Sequence, residues 1–327
     1  MANTLEVIAA KLNAGERLTD SDGQDLLSTT DIISLGMLAD EARRRRHGDQ
    51  ATFLRVAHVV VADAAGTHGF LASAGEIRLD GMPESLDAAV AAVRAVVARA
   101  SRTPVSAFSL AQLAHLGRAA GVSLDVCLGR LRAGGLEQLA EVSLDGPFEF
   151  EAGLEAAAQA GLATPRVTFE HASDEWLQRL RRLVRVQDAL RSIRILSPLP
   201  SRVDPAAPTT GYEDLKRISI ARLVANNVET IQVDWSLYGP KLAQVALTFG
   251  ADDIDNVSAA EDVTLGPRRG PLEDVRRNIK AASFVPVERN GRWELLSGPE
   301  SRPSTNSGRP EPAEGRIRNL QPKTTDA

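Results

Sequence analysis

The chain is poor in sulfur and aromatic chemistry. A single cysteine, Cys127, stands among 327 residues, which excludes an intramolecular disulfide framework and a cysteine-built zinc cage. Aromatic residues make up 4%, too few for a platform that stacks nucleic-acid bases. No window approaches 18 uncharged apolar residues, so no membrane insertion is expected. Basic excess is missing as well. The net charge of −5 supplies no overall field for nucleic acid or anionic lipid. The opening MANTLEVIAAKLNAGERL has no basic segment followed by an apolar one, so no secretory signal is expected and the location reads as cytoplasmic. The tract from Arg43 to Arg46 ends an amphipathic helix pattern, where cations complement the helix dipole. It reads as a solvated helix end rather than a nucleic-acid contact.

What is present is the composition of a soluble globular protein, 43% hydrophobic and 25% charged, long enough to bury a large core. Residues 1–50 read as a helical lead-in. In it Thr30 and Asp31 are capping types before IISLGMLADEARRRRH, and Gly48 closes the helix. ATFLRVAHVVV then reads as a strand. From there strand and helix patterns alternate: GEIRLDG before PESLDAAVAAVRAVVARAS, TPVSAF before SLAQLAHLGRAAG, and so on to ETIQVDW, GPKLAQVALTFG and ADDIDN. About eight such steps argue for an α/β fold of the TIM-like (β/α) barrel kind over residues 51–296. The crossover after residues 56–61 is short. ADAAGTHGFLASA is near the minimum for a parallel connection and leaves no room for a full helix, so the barrel is expected to be incomplete there. Residues 297–327, proline- and polar-rich with almost no apolar side chains, are expected to be disordered.

Candidate site residues follow from the strand ends. His58 sits on a strand aimed at a barrel mouth, where the alternatives are a satisfied core histidine and a working one. Glu170 and His171 end the strand RVTFEH, the edge where barrels place ligand-binding side chains. Asp234 in QVDW and Asp252 in GADDID are carboxylates at strand positions suited to acid–base work. Adjacent strand residues face opposite sides, so Asp252 and Asp253 do not share one cavity. His68 reads as a solvated loop residue. Cys127 shares a helical face with Leu124, Leu128 and Leu131 and reads as a small core hydrophobe. No histidine pair has metal-site spacing, and no catalytic set stands out.

Several blocks, taken in order, resemble the radical S-adenosylmethionine (SAM) enzymes of the futalosine route to menaquinone. They are AGERLTDSDGQDLLSTTDIISLGMLADEARRRRHGDQATF, GEIRLDGMPESLDAAVAAVRA and TTGYEDLKRISIARLVANNVETIQVDWSLYGPKLAQVALTFGADDID followed by VPVER. The likeness leans to aminofutalosine synthase, with dehypoxanthine futalosine cyclase as a cousin. It implies a radical SAM barrel that uses a [4Fe–4S] cluster and S-adenosylmethionine, held by a CxxxCxxC motif after a histidine-bearing strand. Laying His58 on that histidine places the three cysteine positions on Ala65, Gly69 and Ala72, none of which has a donor atom. The glycine pair after the second strand is replaced by Asp80-Gly81. The expectation is therefore a degenerate homologue with no cofactor and no metal, kept as a binding or partner protein. Its partner would be a true futalosine-pathway enzyme or a small-molecule ligand. The alternatives are non-radical chemistry in the same cavity and a decaying paralogue without a role.

Overall fold

Along EIRLD the charged side chains Glu76, Arg78 and Asp80 alternate with Ile77 and Leu79, and this period of two decides which face of the strand is which. In a computed structural model of the chain, described over residues 4–66, 72–146, 150–164, 166–170, 175–200, 211–260 and 270–296, the apolar face packs outward against helices and the charged face lines a barrel. The strands β1 (Gln50–Val60), β2 (Glu76–Asp80), β3 (Val105–Ser109), β4 (Gln138–Ser143), β5 (Arg166–Phe169), β6 (Ile195–Pro198), β7 (Thr230–Asp234) and β8 (Asp253–Ser258) are neighbours in that order. All pair in parallel, and the register from Val56↔Glu76 to Val60↔Asp80 closes the ring between β1 and β2. Met1–Leu296 is one compact unit, and Ser297–Ala327 is a second that lies outside the described residues.

The helices α4 (Leu86–Arg99), α5 (Leu110–Ala120), α6 (Leu124–Ala133), α7 (Phe150–Gln159), α8 (Trp176–Leu190), α9 (Tyr212–Val224), α10 (Trp235–Leu247) and α11 (Pro271–Ala281) form the outer layer. Local chemistry sets their ends. Ser109 and Gln112 form a capping box on α5, and Gly121, in the left-handed region at φ 66°, ends it. The first crossover is the exception. Among the described residues it holds one 3-10 turn, Val61–Asp63. The strand ring, expected to be incomplete there, is whole. Beside it an apolar hollow of about 470 Å³ runs along α4, lined by Val60, Met82, Ala88 and Ala92.

Three helices, α1 (Thr4–Asn13), α2 (Asp20–Ser28) and α3 (Ile32–His47), precede the barrel. Asp31 caps α3 by accepting from the Ser34 amide, and Gly48 closes it. In the arginine tract Arg45 and Arg46 are exposed, as at a solvated end, and Arg44 is half-buried, but Arg43 behaves differently. Arg43 is fully buried, stacked 3.9 Å from the Phe284 ring, and donates to the Gly48 carbonyl at 2.9 Å. Burial pushes its guanidinium down to about 10. The reason is β9 (Val285–Arg289), a strand not anticipated from the sequence, which pairs with the first half of β1 and brings Phe284 beneath α3. The segment after β9 turns under the barrel, where Gly291 and Trp293 line the floor.

Candidate functional site

The barrel interior is charged rather than apolar. Asp255, 1% exposed, accepts from Arg78 at 3.0 and 3.2 Å and from Arg166. Glu76 takes Arg78 at 2.8 and 3.0 Å and the Ser106 hydroxyl at 2.6 Å. Asp253 takes both edges of Arg289 at 2.7 Å and the Gln232 amide at 2.7 Å. Burial alone would raise the Asp255 carboxyl, but attraction to Arg78 and then Arg166 outweighs it and holds the group well below the usual range. Three carboxylates thus answer three guanidinium groups, as buried charge requires.

Above this layer, at the C-terminal ends of the strands, lies a cavity of about 280 Å³. His58, Asp80, Glu141, Arg166, Asp234 and Asn256 line it. A hydrogen-bonded chain crosses its rim. His58 Nδ1 lies 2.5 Å from Asp80 Oδ2, and His58 Nε2 contacts Asn256 Oδ1. Asn256 Nδ2 donates to Asp234 Oδ2 at 3.0 Å and to Ser236 Oγ at 2.9 Å. Asp234 also caps α10, taking the Ser236 and Leu237 amides at 2.8 and 3.0 Å. Asn256 reaches this position because the β1–β8 register shifts between Phe53 and Arg55, and its backbone turns to φ 63°. That bulge lets Asp255 and its neighbour Asn256 both face the lumen, which a regular strand forbids.

Of the residues singled out in the sequence, His58 and Asp234 are brought to this rim. Glu170 is exposed, its backbone amide donating to Asp145 at 2.6 Å, and it does not line the cavity. Its sequence partner His171, like His68 and Gly69, lies outside the described residues. Asp252 lies just before β8 at the opposite end of the barrel. There it is 3% exposed, pairs with Arg222 and accepts from the Ile231 amide at 2.9 Å. It also faces His47 at 3.4 Å, and burial pushes that imidazole down to about 4. Asp252 therefore works as a structural anchor, while Asp253 points inward. Asp80, Glu141 and Asn256 were not foreseen as site residues. The alternation in EIRLD carried the signal for Asp80, whereas the bulge that aims Asn256 left none.

Comparison with known proteins adds the ancestry. The family described as CofH/MqnC C-terminal region matches residues 199–302. The aminodeoxyfutalosine synthase of Streptomyces coelicolor is 26% identical over 92% of this chain and 96% of its own length. That of Thermus thermophilus is 25% identical over 88% and 94%. The chain is a homologue of the radical SAM futalosine-pathway enzymes. The Streptomyces alignment runs over 382 positions against a 327-residue chain, so that homologue carries segments missing here. Among solved structures, methylornithine synthase (PylB) superposes with a TM-score of 0.60 at 16% identity over 85% of this chain and 97% of its own. HydG, a maturase of the [FeFe]-hydrogenase, gives 0.58 at 9% over 87% and 76%. These two establish the barrel fold.

The donor set needed for a thiolate-held cluster does not fit the residues present. Ala65 and Ala72 carry no donor, and a third position is Gly69. Cys127 is fully buried on α6, under Gly117, and burial pushes its thiol up. Among the described residues no group of three or more His, Cys, Asp or Glu side chains could hold a metal ion.

Proposed function

We propose that this chain is a cluster-less homologue of aminofutalosine synthase that serves as a binding or partner protein rather than a radical enzyme. The observation that carries the reading is the donor set: Ala65, Gly69 and Ala72 stand where the family resemblance puts sulfur. Iron–sulfur clusters are held by thiolates, and alanine and glycine offer nothing in exchange. Reductive cleavage of S-adenosylmethionine draws its electron from that cluster, so the family's reaction has no source of radical here. The barrel itself is not eroded. Its ring is closed, and its mouth keeps a polar cavity of about 280 Å³. A small molecule in that mouth, or a true futalosine-pathway enzyme docked on the barrel, is the partner this reading calls for.

A second reading, non-radical chemistry at the mouth, draws on the convergence of His58 and Asp234. Against it stands Glu170, which lies away from the cavity. The test is anaerobic reconstitution with iron and sulfide, followed by gel filtration and iron analysis. The expected result is no stoichiometric iron and no visible cluster absorbance. Uptake of one cluster per chain would overturn the proposal.

A further inference from the structure

Both ring nitrogens of His58 face acceptors. On one side is the Asp80 carboxylate at 2.5 Å, which has no proton to offer when ionised; on the other is Asn256 Oδ1. Turning the Asn256 amide over would set its oxygen against Asp234 Oδ2, now 3.0 Å from its Nδ2. The Ser236 hydroxyl does not relieve this, because its proton goes to Asp234 Oδ1 at 2.6 Å. With the amide fixed, acceptors on both sides of the ring require an N–H on both nitrogens, and that is the imidazolium.

We propose that His58 is held doubly protonated through neutral pH and acts as a proton-dependent latch. It ties together the C-terminal ends of β1, β2, β7 and β8 across the barrel mouth. The inference stands on the hydrogen-bond geometry alone, independently of whether the chain binds a partner. The charged groups around the ring agree with it. Asp80 and Arg78 come from β2, Asp234 from β7, Glu141 from β4 and Arg166 from β5, with the Gln112 amide of α5 also facing the cavity. Arg78 and Arg166 are already answered by Asp255, and Arg78 also by Glu76, while Glu141 has no partner among the described residues. The hydrogen bond to Asp80, then that to Asn256, raises the His58 pKa against the opposing effect of burial.

Two consequences follow. A metal ion needs a neutral imidazole with a free lone pair, so the latched His58 is neither ligand nor base. On deprotonation the ring keeps one N–H, and one of its two contacts becomes acceptor against acceptor. The retained N–H stays with the charged acceptor, Asp80, so Asn256 Oδ1 loses its donor and Asn256 is left with Asp234 and Ser236 alone, which unties β1 from β8 at the mouth. Because the folded pKa is raised, the latch is complete below the unfolded value of about 6.5 and is lost as pH rises through the folded value.

The experiment is long-range 15N NMR of the histidine rings in the full chain from about pH 6 to about pH 9, with H58Q to assign the signals. Wild type should show both His58 nitrogens protonated at neutral pH. Its midpoint should lie above the free value, because the Asp80 carboxylate bonds the ring and favours its charged form. D80N should lower that midpoint, and N256D should raise it. Hydrogen exchange of residues 56–60 and 76–80, corrected for intrinsic rates, should increase as wild type passes its midpoint. If D80N does not fold, the wild-type titration and N256D decide. A neutral His58 ring at pH 7, a midpoint unmoved in both variants, or exchange unchanged across the midpoint would overturn the latch.

Discussion

Replacing Asp255 with asparagine tests whether the charged barrel interior is a closed, balanced network. The side chain is 1% exposed and serves two guanidinium groups, Arg78 and Arg166. Removing one member of a buried ion pair costs about 3–5 kcal/mol, because the partner stays buried and uncompensated. Here Glu76 still holds Arg78 at 2.8 Å, and Arg166 keeps the Ala140 carbonyl at 3.2 Å, which places D255N at the low end, about 3 kcal/mol. For the 296-residue unit, an unfolding entropy of about 2.1 cal/mol/K per residue turns that loss into a midpoint drop of about 5 °C. Urea titration and calorimetry at pH 7 read both quantities. The double variant D255L/R166M should lose less than the two single losses combined, since it removes the orphaned cation along with its partner. The sign of the pH effect also follows. Asp255 is depressed in the folded state, so its contribution is present above the unfolded carboxyl value of about 3.9 and disappears as pH falls through the folded value. Wild type should therefore lose stability more steeply than D255N below about pH 4. A D255N loss under about 1 kcal/mol, or additive losses in the double variant, would mean that the interior is hydrated and the charges are not coupled.

Three further outcomes are expected. Gly36→Ala in α3 would set a Cβ 2.7 Å from the Phe249 ring. The overpacking should cost about 1–3 kcal/mol in the same denaturation assay, and a neutral result would show that the α3 contact is loose. Cys127, fully buried with its thiol pushed up, should react with a disulfide reagent only after denaturant is added; rapid labelling of the native protein would contradict the packing of α6. Truncation after Leu296 should leave the thermal midpoint unchanged, and a lowered midpoint would show that residues 297–327 contribute to the folded body.

The sequence made the barrel legible because each strand carries its own signal. GEIRLDG and ETIQVDW are bounded and alternate, and the helices between them bring caps such as Ser109 and Gly121. The opposed directions of Asp252 and Asp253 also followed from the period of two, and the two side chains do serve different partners, Arg222 and Arg289. Long-range pairing was not readable. The strand β9, with Pro286 in it, contacts β1 more than 200 residues away, and only that contact explains why Arg43 is buried. His58 was visible as a mouth residue, but its partners lie 22 and 198 positions away, and one of them depends on a bulge with no local signature. The charged lining was hidden for a related reason: alternation says that two faces differ, but which face turns inward depends on closure of the whole ring.

The most direct test of the account is to incubate the anaerobically reconstituted wild-type chain with S-adenosylmethionine and a strong reductant, and to measure 5′-deoxyadenosine by mass spectrometry. The account predicts none above a protein-free control, because no sulfur donor stands at residues 65, 69 and 72 to hold the cluster that supplies the electron. Formation of 5′-deoxyadenosine in proportion to the protein added would contradict it.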